Sequence, residues 1–264
     1  MRINMEQQYG ICRVAIAPLR TEASDKAEIS SQLLFGDHVE ILEKKENWWL
    51  VYNAYDGYEG WVDFKQLSLI SLEQYVNNHD CDHVVPAELM GTVIDEEGTK
   101  YYLSPGSNLP MLENGFCSLG EQKFAVMFTP LKISAFHTVE ELIQHALFFR
   151  NAPYLWGGRT LFGIDCSGFI QIVFKLNGIQ LKRDAWQQAE QGEVVDFLPA
   201  VKPGDVAFFD NAEGRIIHVG IMLSTDRIIH ASGKVRIDPI DDQGIYNAEL
   251  GRYSHRLRII KRFI

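Results

Sequence analysis

The segment PYLWGGRTLFGIDCSGFIQIVF, residues 153–174, decides the fold of the C-terminal half of this 264-residue chain. Its first part is a glycine-rich loop that runs up to Asp165, a residue type that often caps helix N-termini. Apolar residues then recur at helical spacing as far as Gly178, and glycine is the usual residue just past a helix C-terminus. The pattern therefore predicts an apolar helix with Cys166 in its first turn.

Cys166 is the residue of this segment with the chemistry of a nucleophile. The thiolate is the reactive form of cysteine, and the positive end of a helix dipole favours that anion. We therefore expect the position at the helix start to lower the pKa of the thiol. The other cysteines, Cys12, Cys81 and Cys117, lie far apart in sequence and form no CxxC motif, so we interpret them as small apolar side chains without disulfides.

Two histidines lie on predicted strands downstream of this cysteine. His218 begins the strand HVGIML, and His230 lies within the next strand, RIIHA. If the two strands pair as a hairpin, the imidazoles lie close together, where one accepts the thiol proton and the other fixes its tautomer. Zinc is the alternative partner of cysteine and histidine, but a thiol and two imidazoles explain the pattern without a fourth ligand. We therefore predict neither metal nor cofactor.

The rest of the chain divides by its pattern into β-rich and mixed parts. Short strands with turn signals at Gly36-Asp37 and Asp56-Gly57 predict a small barrel within residues 11–70. After a connecting segment with a short helix, residues 86–129 form a second β-rich stretch, which we interpret as a diverged copy of the barrel. From residue 130, a helix that starts with a capping box at Thr138 precedes the cysteine-bearing helix and several strands.

These segments resemble two known families. The stretch LLFGDHVEILEKKENWWLVYNAYDGYEGWV, residues 33–62, is similar to a bacterial SH3 domain. The opening segment, followed by KPGDVAFF, IIHVGIML and IIHASG, resembles an NlpC/P60 peptidase in order and spacing. The resemblance implies an α+β fold in which a papain-like catalytic domain, residues 131–264, follows two small SH3-like barrels, residues 1–70 and 71–130.

The resemblance also implies an activity. NlpC/P60 peptidases cleave bacterial cell-wall peptides, and the family pattern assigns Cys166 as nucleophile, His218 as base and acid, and His230 as the orienting third residue. The order of the domains is similar to that of the γ-D-glutamyl-L-diamino acid endopeptidases. Members of that group cut murein peptides between D-Glu and the diamino acid, and they prefer a free N-terminal L-Ala.

Six further residues are candidates for substrate binding on the same resemblance. Tyr154 and Trp156 would line the cleft, with the Tyr154 hydroxyl near the developing oxyanion. Asp165 and Ser167 would contact the substrate beside the nucleophile, and two carboxylates would bind the substrate amine. The six residues are Tyr154, Trp156, Asp165, Ser167, Asp184 and, on the hairpin tip of the first barrel, Glu59.

Each of these candidates also has a purely structural interpretation. Asp165 serves equally well as a helix cap, Asp184 as a solvated turn residue and Glu59 as part of an ordinary hairpin tip. Trp156 fits a core position. We expect Arg159 to be a surface or loop residue and assign it no role.

Composition excludes several classes of partner. The net charge of −10 and the absence of long Lys/Arg runs argue against nucleic acid and anionic lipid. No apolar stretch is long enough to span a membrane, and residues 1–10 lack a secretory h-region, so we expect a cytoplasmic enzyme if Met1 is the native start. The alternatives are a wall-binding module with a vestigial catalytic domain, or another papain-like acyl-transfer enzyme, such as an amidase or transpeptidase.

Overall fold

The computed structural model describes residues 7–87, 90–133 and 138–264. The chain forms two compact units, Met1–Ser134 and Ala135–Ile264. Within the described residues, the strands are paired antiparallel throughout both units, apart from one isolated parallel bridge in the second. The structure therefore has both helices and sheets, as the sequence predicts.

The first unit begins with a seven-stranded sheet in the order β3-β2-β6-β5-β4-β1-β7. Its strands are β1 Gln8–Cys12, β2 Ile16–Arg20, β3 Ile29–Leu34, β4 His38–Lys45, β5 Trp48–Asn53, β6 Glu59–Asp63 and β7 Leu67–Ile70. The predicted turn between β5 and β6 is confirmed, since Gly57 has a φ of 75° and Asn53 Nδ2 donates to Asp56 Oδ1 at 2.9 Å. A 3-10 helix, Phe64–Gln66, precedes β7.

A short helix and a smaller sheet complete the first unit. The predicted helix is confirmed as α1, Leu72–Asn78. The strands that follow are β8 His83–Val84, β9 Gly91–Asp95, β10 Lys100–Leu103, β11 Phe116–Leu119, β12 Gln122–Val126 and β13 Leu131–Lys132. Four of them form the sheet β10-β9-β12-β11, and its buried residues share one core with Ile11 of β1 and Phe35 of the turn between β3 and β4. The interpretation of this stretch as a second barrel stays a prediction.

The second unit combines three helices with a sheet that closes on itself. Its helices are α2 Val139–Phe148, α3 Cys166–Lys175 and α4 Ala185–Gln188, with a 3-10 helix at Leu198–Ala200. Its strands are β14 Arg159–Thr160, β15 Gly163–Ile164, β16 Glu193–Val195, β17 Val206–Asp210, β18 Ile216–Met222, β19 Arg227–Ser232, β20 Lys234–Asp241, β21 Gly244–Asn247 and β22 Arg252–Arg262. The large sheet has the order β16-β22-β17-β18-β19-β20-β21, and an additional pairing joins β21 back to β22.

Helix α3 forms where the sequence predicts it, and every one of its residues is buried. Asp165 caps its N-terminus, with one carboxylate oxygen accepting from the backbone N–H of Gly168 at 2.7 Å. The helix packs against α2, β18 and β19, so apolar side chains are favourable on all its faces. The capping box of α2 is also confirmed, because Thr138 and Glu141 exchange side chain–backbone hydrogen bonds of 2.7 and 3.2 Å.

The glycine-rich loop fits closely against the start of α3. A Cβ added at Gly168 would lie 2.3 Å from the backbone oxygen of Gly158. A Cβ added at Gly158 would lie 2.3 Å from the backbone oxygen of Gly163. Because backbone atoms cannot rotate away as a side chain can, both positions need glycine for the loop to reach the helix.

This close approach predicts the effect of adding one methyl group. Gly168→Ala should lower the free energy of unfolding of the second unit by at least about 2 kcal/mol, because overpacking forces the backbone to shift. Differential scanning calorimetry measures the loss. The matched control is Gly10→Ala in β1, where the nearest neighbour of an added Cβ lies at 3.4 Å, an ordinary contact. An equal, small effect of both substitutions would contradict the tight fit.

No helix in the described part of the chain is both long and apolar enough to cross a membrane.

Candidate active site

The Cys166 thiol lies at the buried start of α3, against strand β18. Cys166 is the first residue of the helix and is only 7% exposed. Its sulfur contacts the backbone N–H groups of Ser167, on the helix, and Val219, on β18. Val219 directly follows His218 in the chain, so the predicted nucleophile and the predicted base come from neighbouring elements.

The two predicted histidines are brought together by the hairpin of β18 and β19. This hairpin is confirmed, with Gly220 paired to His230 in the register. The Nε2 atom of His218 lies 2.8 Å from the Nδ1 atom of His230, and both rings are buried. The catalytic roles of the two histidines stay a prediction at this point, although their placement is the one those roles require.

The hydrogen-bonded pair continues to a carboxylate that the sequence did not single out. The Nε2 atom of His230 lies 3.0 Å from Oδ2 of Asp238, on β20. Arg236 donates from Nη2 to Oδ1 of Asp238 at 3.0 Å and from Nη1 to Glu249 at 2.8 Å. The β-branched residues around Asp238 were a signal for this strand, but Pro239 within the run argues against a strand in a sequence pattern.

A third histidine, His255 on β22, covers the ring of His218. The two rings are stacked, with centroids 4.0 Å apart and planes inclined by 21°. One nitrogen from each of His218, His230 and His255 lies within 4.8 Å of the others, a spacing that a metal ion could use. Stacked rings, however, direct their in-plane lone pairs side by side rather than towards one point, as tetrahedral zinc requires. The arrangement favours acid–base chemistry over a metal site.

Burial keeps both the thiol and the imidazole uncharged in the free enzyme. Burial, followed by the Asp165 carboxylate, raises the pKa of the Cys166 thiol to about 12, although Arg183 and two backbone N–H groups act in the opposite direction. Burial and then the neighbouring His230 and His255 hold the pKa of His218 well below its usual value. The expectation that the helix start alone lowers the thiol pKa was therefore wrong, because desolvation outweighs the helix terminus.

The Cys166 sulfur reaches the strand that carries the His218 ring. It contacts the backbone N–H of Val219, the residue next to His218, and the ring contacts His230 through Nε2. Catalytic hydrogen bonds are often long in free enzymes and tighten when the substrate binds.

Asp165 and Ser167 are held in a buried network around Arg183. Arg183 is 1% exposed and donates to the two Asp165 oxygens at 2.5 and 3.1 Å and to Ser167 Oγ at 2.9 Å. Asp165 also accepts from the backbone N–H of Gly157 at 2.9 Å, in addition to its cap bond to Gly168. Arg183 is not predicted from the sequence, because an arginine between Lys182 and Asp184 gives no sign that it is buried.

The two aromatic candidates differ in their surroundings. Tyr154 is half-buried, and burial followed by the nearby Cys166 and Asp165 raises the pKa of its hydroxyl. It therefore lies near the nucleophile and stays protonated, as a hydrogen-bond donor must. Trp156 is 61% exposed, so the alternative that it belongs to the core was wrong.

The remaining residues fall in three different places. Asp184 is half-buried and caps the short helix α4, where its backbone N–H donates to Gln187 at 3.2 Å. Glu59 is an exposed residue at the start of β6 in the first unit, and its binding role stays a prediction. Arg159, expected at the surface, is fully buried, and that expectation was wrong because strand β14 packs against α3.

Comparison with known proteins gives matches along most of the chain. Residues 151–252 match the NlpC/P60 family, and residues 19–67 match the bacterial dipeptidyl-peptidase Sh3 domain. The chain is 33% identical over 245 residues to the gamma-D-glutamyl-L-lysine dipeptidyl-peptidase of Bacillus subtilis (strain 168), which covers 87% of this chain and 77% of that relative.

Two further similarities support this pattern. Dipeptidyl-peptidase 6 of Lysinibacillus sphaericus is 28% identical over 262 residues, covering 86% of this chain and 90% of the relative. The crystal structure of an NlpC/P60 family protein from Bacillus cereus superposes with a TM-score of 0.78 at 21% identity, covering 96% of this chain and 99% of that one. At that identity, the superposition shows the fold.

The pKa of the thiol predicts how Cys166 reacts with an alkylating agent. Because the thiol pKa is raised to about 12, the thiolate fraction in the free enzyme should increase with pH throughout the range from neutral to alkaline. The rate of iodoacetamide labelling of Cys166 should rise roughly tenfold per pH unit from about pH 6 to 10. Mass spectrometry follows the rate, with Cys166→Ala to identify labelling of other cysteines. A plateau near neutral pH would instead indicate a preformed thiolate.

The buried ion pair predicts a large loss of stability when its cation is removed. Arg183→Met leaves the Asp165 carboxylate buried without its partner, which should lower the free energy of unfolding by about 3–5 kcal/mol. Urea unfolding of the second unit measures the loss. The control is Arg227→Met, at an exposed position on β19, which should change it by less than about 0.5 kcal/mol. A loss below about 1 kcal/mol for Arg183→Met would show that the network does not hold the loop.

Proposed function

This chain belongs to the NlpC/P60 family, and we propose that it is a cysteine peptidase with Cys166 as nucleophile and His218 as base. The proposal rests on the way helix α3 and strands β18 and β19 pack together. The start of α3 brings the thiol to β18, and the β18–β19 hairpin places His230 2.8 Å behind His218. A nucleophile, a base and an orienting group in this order are the requirements of a cysteine–histidine triad.

Because both partners are neutral, the reaction begins with a proton transfer rather than from an ion pair. His218 takes the Cys166 proton as the sulfur attacks the scissile carbonyl carbon, and the carbonyl oxygen becomes an oxyanion. When the tetrahedral intermediate collapses, the C–N bond breaks and His218 gives that proton to the leaving amine. At this stage His218 is neutral again and the sulfur is part of a thioester. His218 then takes a proton from water as the water oxygen attacks the thioester carbonyl carbon. The C–S bond breaks, the acid product leaves, and His218 returns the proton to the sulfur, which restores the thiol and the neutral imidazole.

Donors for the oxyanion are available near the sulfur. The backbone N–H groups of Ser167 and Val219 already contact it, and the Tyr154 hydroxyl lies close enough that Cys166 contributes to its raised pKa. A protonated hydroxyl in a half-buried position donates more strongly than the same group in water. We assign Tyr154 to the oxyanion and Trp156, exposed on the same loop, to the wall of the cleft.

The proposed substrate is a murein peptide cut between D-Glu and an L-diamino acid. The names of two relatives support this proposal. One is named gamma-D-glutamyl-L-lysine dipeptidyl-peptidase, and the other is named dipeptidyl-peptidase 6. A dipeptide-releasing enzyme must recognise the free N-terminal amine of L-Ala, and a carboxylate is the natural partner of an ammonium. We assign Asp184 to that amine, and Glu59 remains a candidate from the family resemblance alone. Asp165 and Ser167 flank the thiol and, through Arg183, hold the loop that faces the substrate.

Several finer statements belong to the same proposal. The cysteine-bearing helix packed on an antiparallel sheet supports a papain-like core for residues 131–264. The second β-rich stretch is proposed as an SH3-like domain within residues 71–130, after a first such domain within residues 1–70. Action on wall peptides recycled in the cytoplasm is a further proposal, which fractionation of the native cells tests.

The decisive experiment uses L-Ala-γ-D-Glu-L-Lys and its N-acetylated form. The enzyme should release L-Ala-γ-D-Glu and Lys from the free tripeptide only, because an acetyl group removes the charge that a carboxylate binds. Cys166→Ala should abolish cleavage, with product formation reduced by at least roughly 1000-fold, whereas Cys81→Ala, in the first unit, should leave it unchanged. Mass spectrometry of the products measures both.

Three outcomes would count against the proposal. Full activity of Cys166→Ala would refute the assignment of the nucleophile. Binding of purified murein without any cleavage would favour a wall-binding module. A product that carries a new amide bond, rather than two fragments, would indicate a transpeptidase on the same scaffold.

A further inference from the structure

We propose that Asp238 is a positioning residue that fixes, through His230, which nitrogen of His218 carries the ring proton. The inference rests on the proposed function, in that it explains how His218 is kept ready to act as a base. Asp238 itself touches neither the thiol nor the substrate. Its effect passes along a line of hydrogen bonds that ends at the base.

The line is short, buried and continuous. His230 is 1% exposed and Asp238 is 3% exposed. The contacts measure 3.0 Å from Asp238 Oδ2 to His230 Nε2 and 2.8 Å from His230 Nδ1 to His218 Nε2. No water is needed to bridge either distance, because both lie within direct hydrogen-bond range.

The chemistry of the groups fixes the direction of every bond in the line. An ionised carboxylate can only accept, so His230 must donate to Asp238 from Nε2. With one ring proton, His230 then presents the lone pair of Nδ1, and His218 must donate to it from Nε2. With its own single proton on Nε2, His218 keeps a lone pair on Nδ1. That atom is the one left to take the thiol proton.

These bond directions require Asp238 to be an anion, and its surroundings keep it so. Arg236 lies on the same strand, with Nε 2.8 Å from Oδ2 and Nη2 3.0 Å from Oδ1 of Asp238. Burial acts to raise the pKa of Asp238, but the hydrogen bonds from His230 and Arg236 outweigh it, and the pKa lies below its usual value. Glu249 binds the other side of Arg236 at 2.8 Å and holds the guanidinium in place.

The same line supports the charge that appears during the reaction. When the S–H bond of Cys166 breaks and the proton moves to Nδ1, His218 becomes an imidazolium whose Nε2–H still donates to His230. The buried Asp238 carboxylate, two bonds further along, stabilises that positive charge without accepting a proton itself. If the protons along these hydrogen bonds lay in the opposite order, Nδ1 of His218 would be protonated and could not act as a base.

The test is the substitution Asp238→Asn, which keeps the shape of the side chain. The amide oxygen can retain the bond from Arg236 while the amide N–H donates to His230, which reverses the proton order. We expect kcat on the tripeptide to fall by roughly 100-fold or more with KM changed less than about threefold, as expected when an orienting group is lost. Asp238→Glu, which restores the carboxylate, should recover part of the loss.

A matched control separates this effect from the loss of a buried carboxylate. Asp205 is 2% exposed and is held by two bonds of 2.7 Å from Arg262, and it has no hydrogen bond to a histidine within the described residues. Asp205→Asn therefore removes the same charge from the same unit outside the line. It should leave kcat within about twofold of the wild type, with any loss appearing in stability alone.

Long-range ¹H–¹⁵N NMR of histidine-labelled protein reads the proton positions directly. The wild type should carry the His218 proton on Nε2, and Asp238→Asn should move it to Nδ1. A wild-type proton on Nδ1, or an Asp238→Asn variant with unchanged kcat, would overturn the proposal. The spectrum tests the proton order even if the wild type cleaves no tripeptide, a result that would overturn the proposed function alone.

Discussion

The desolvation of the Cys166 thiol at the start of α3 is the constraint on which the rest of the site depends. A fully solvated cysteine at a helix N-terminus would ionise more easily, but here burial raises the pKa of the thiol to about 12. The sulfur therefore needs a base that removes its proton during attack. The base is buried as well, so its proton must already lie on the correct nitrogen, and the line from His218 to Asp238 meets this need.

Two Arg–Asp pairs, each with a buried carboxylate, hold the two halves of this arrangement. Arg183 binds Asp165 below the helix start, and Arg236 binds Asp238 behind the histidines. Buried ion pairs contribute little net stability when compared with apolar residues, but each is expensive to break. Their value here is geometric, because each fixes one carboxylate that in turn orients the nucleophile loop or the base. The close glycine contact between Gly158 and Gly168 sets the distance between loop and helix.

Much of the fold could be predicted from local patterns. The parts that could not be predicted are those that depend on strand register. Helix α3, its Asp165 cap and the β18–β19 hairpin follow from capping, periodicity and spacing that lie within single segments. Asp238 escaped prediction because it meets His230 only through the pairing of β19 with β20, and Pro239 obscured that strand. The burial of Arg159 and Arg183, and the raised thiol pKa, arise from packing between distant segments, which no local pattern reports.

The proposed mechanism requires Cys166 to become covalently attached to the L-Ala-γ-D-Glu part of the substrate. Rapid acid quenching of enzyme mixed with tripeptide, followed by digestion and mass spectrometry, measures that bond directly. We expect a transient dipeptidyl adduct on the peptide that contains Cys166, appearing before free product accumulates. Steady product release without any adduct, or an adduct on a different residue, would contradict it.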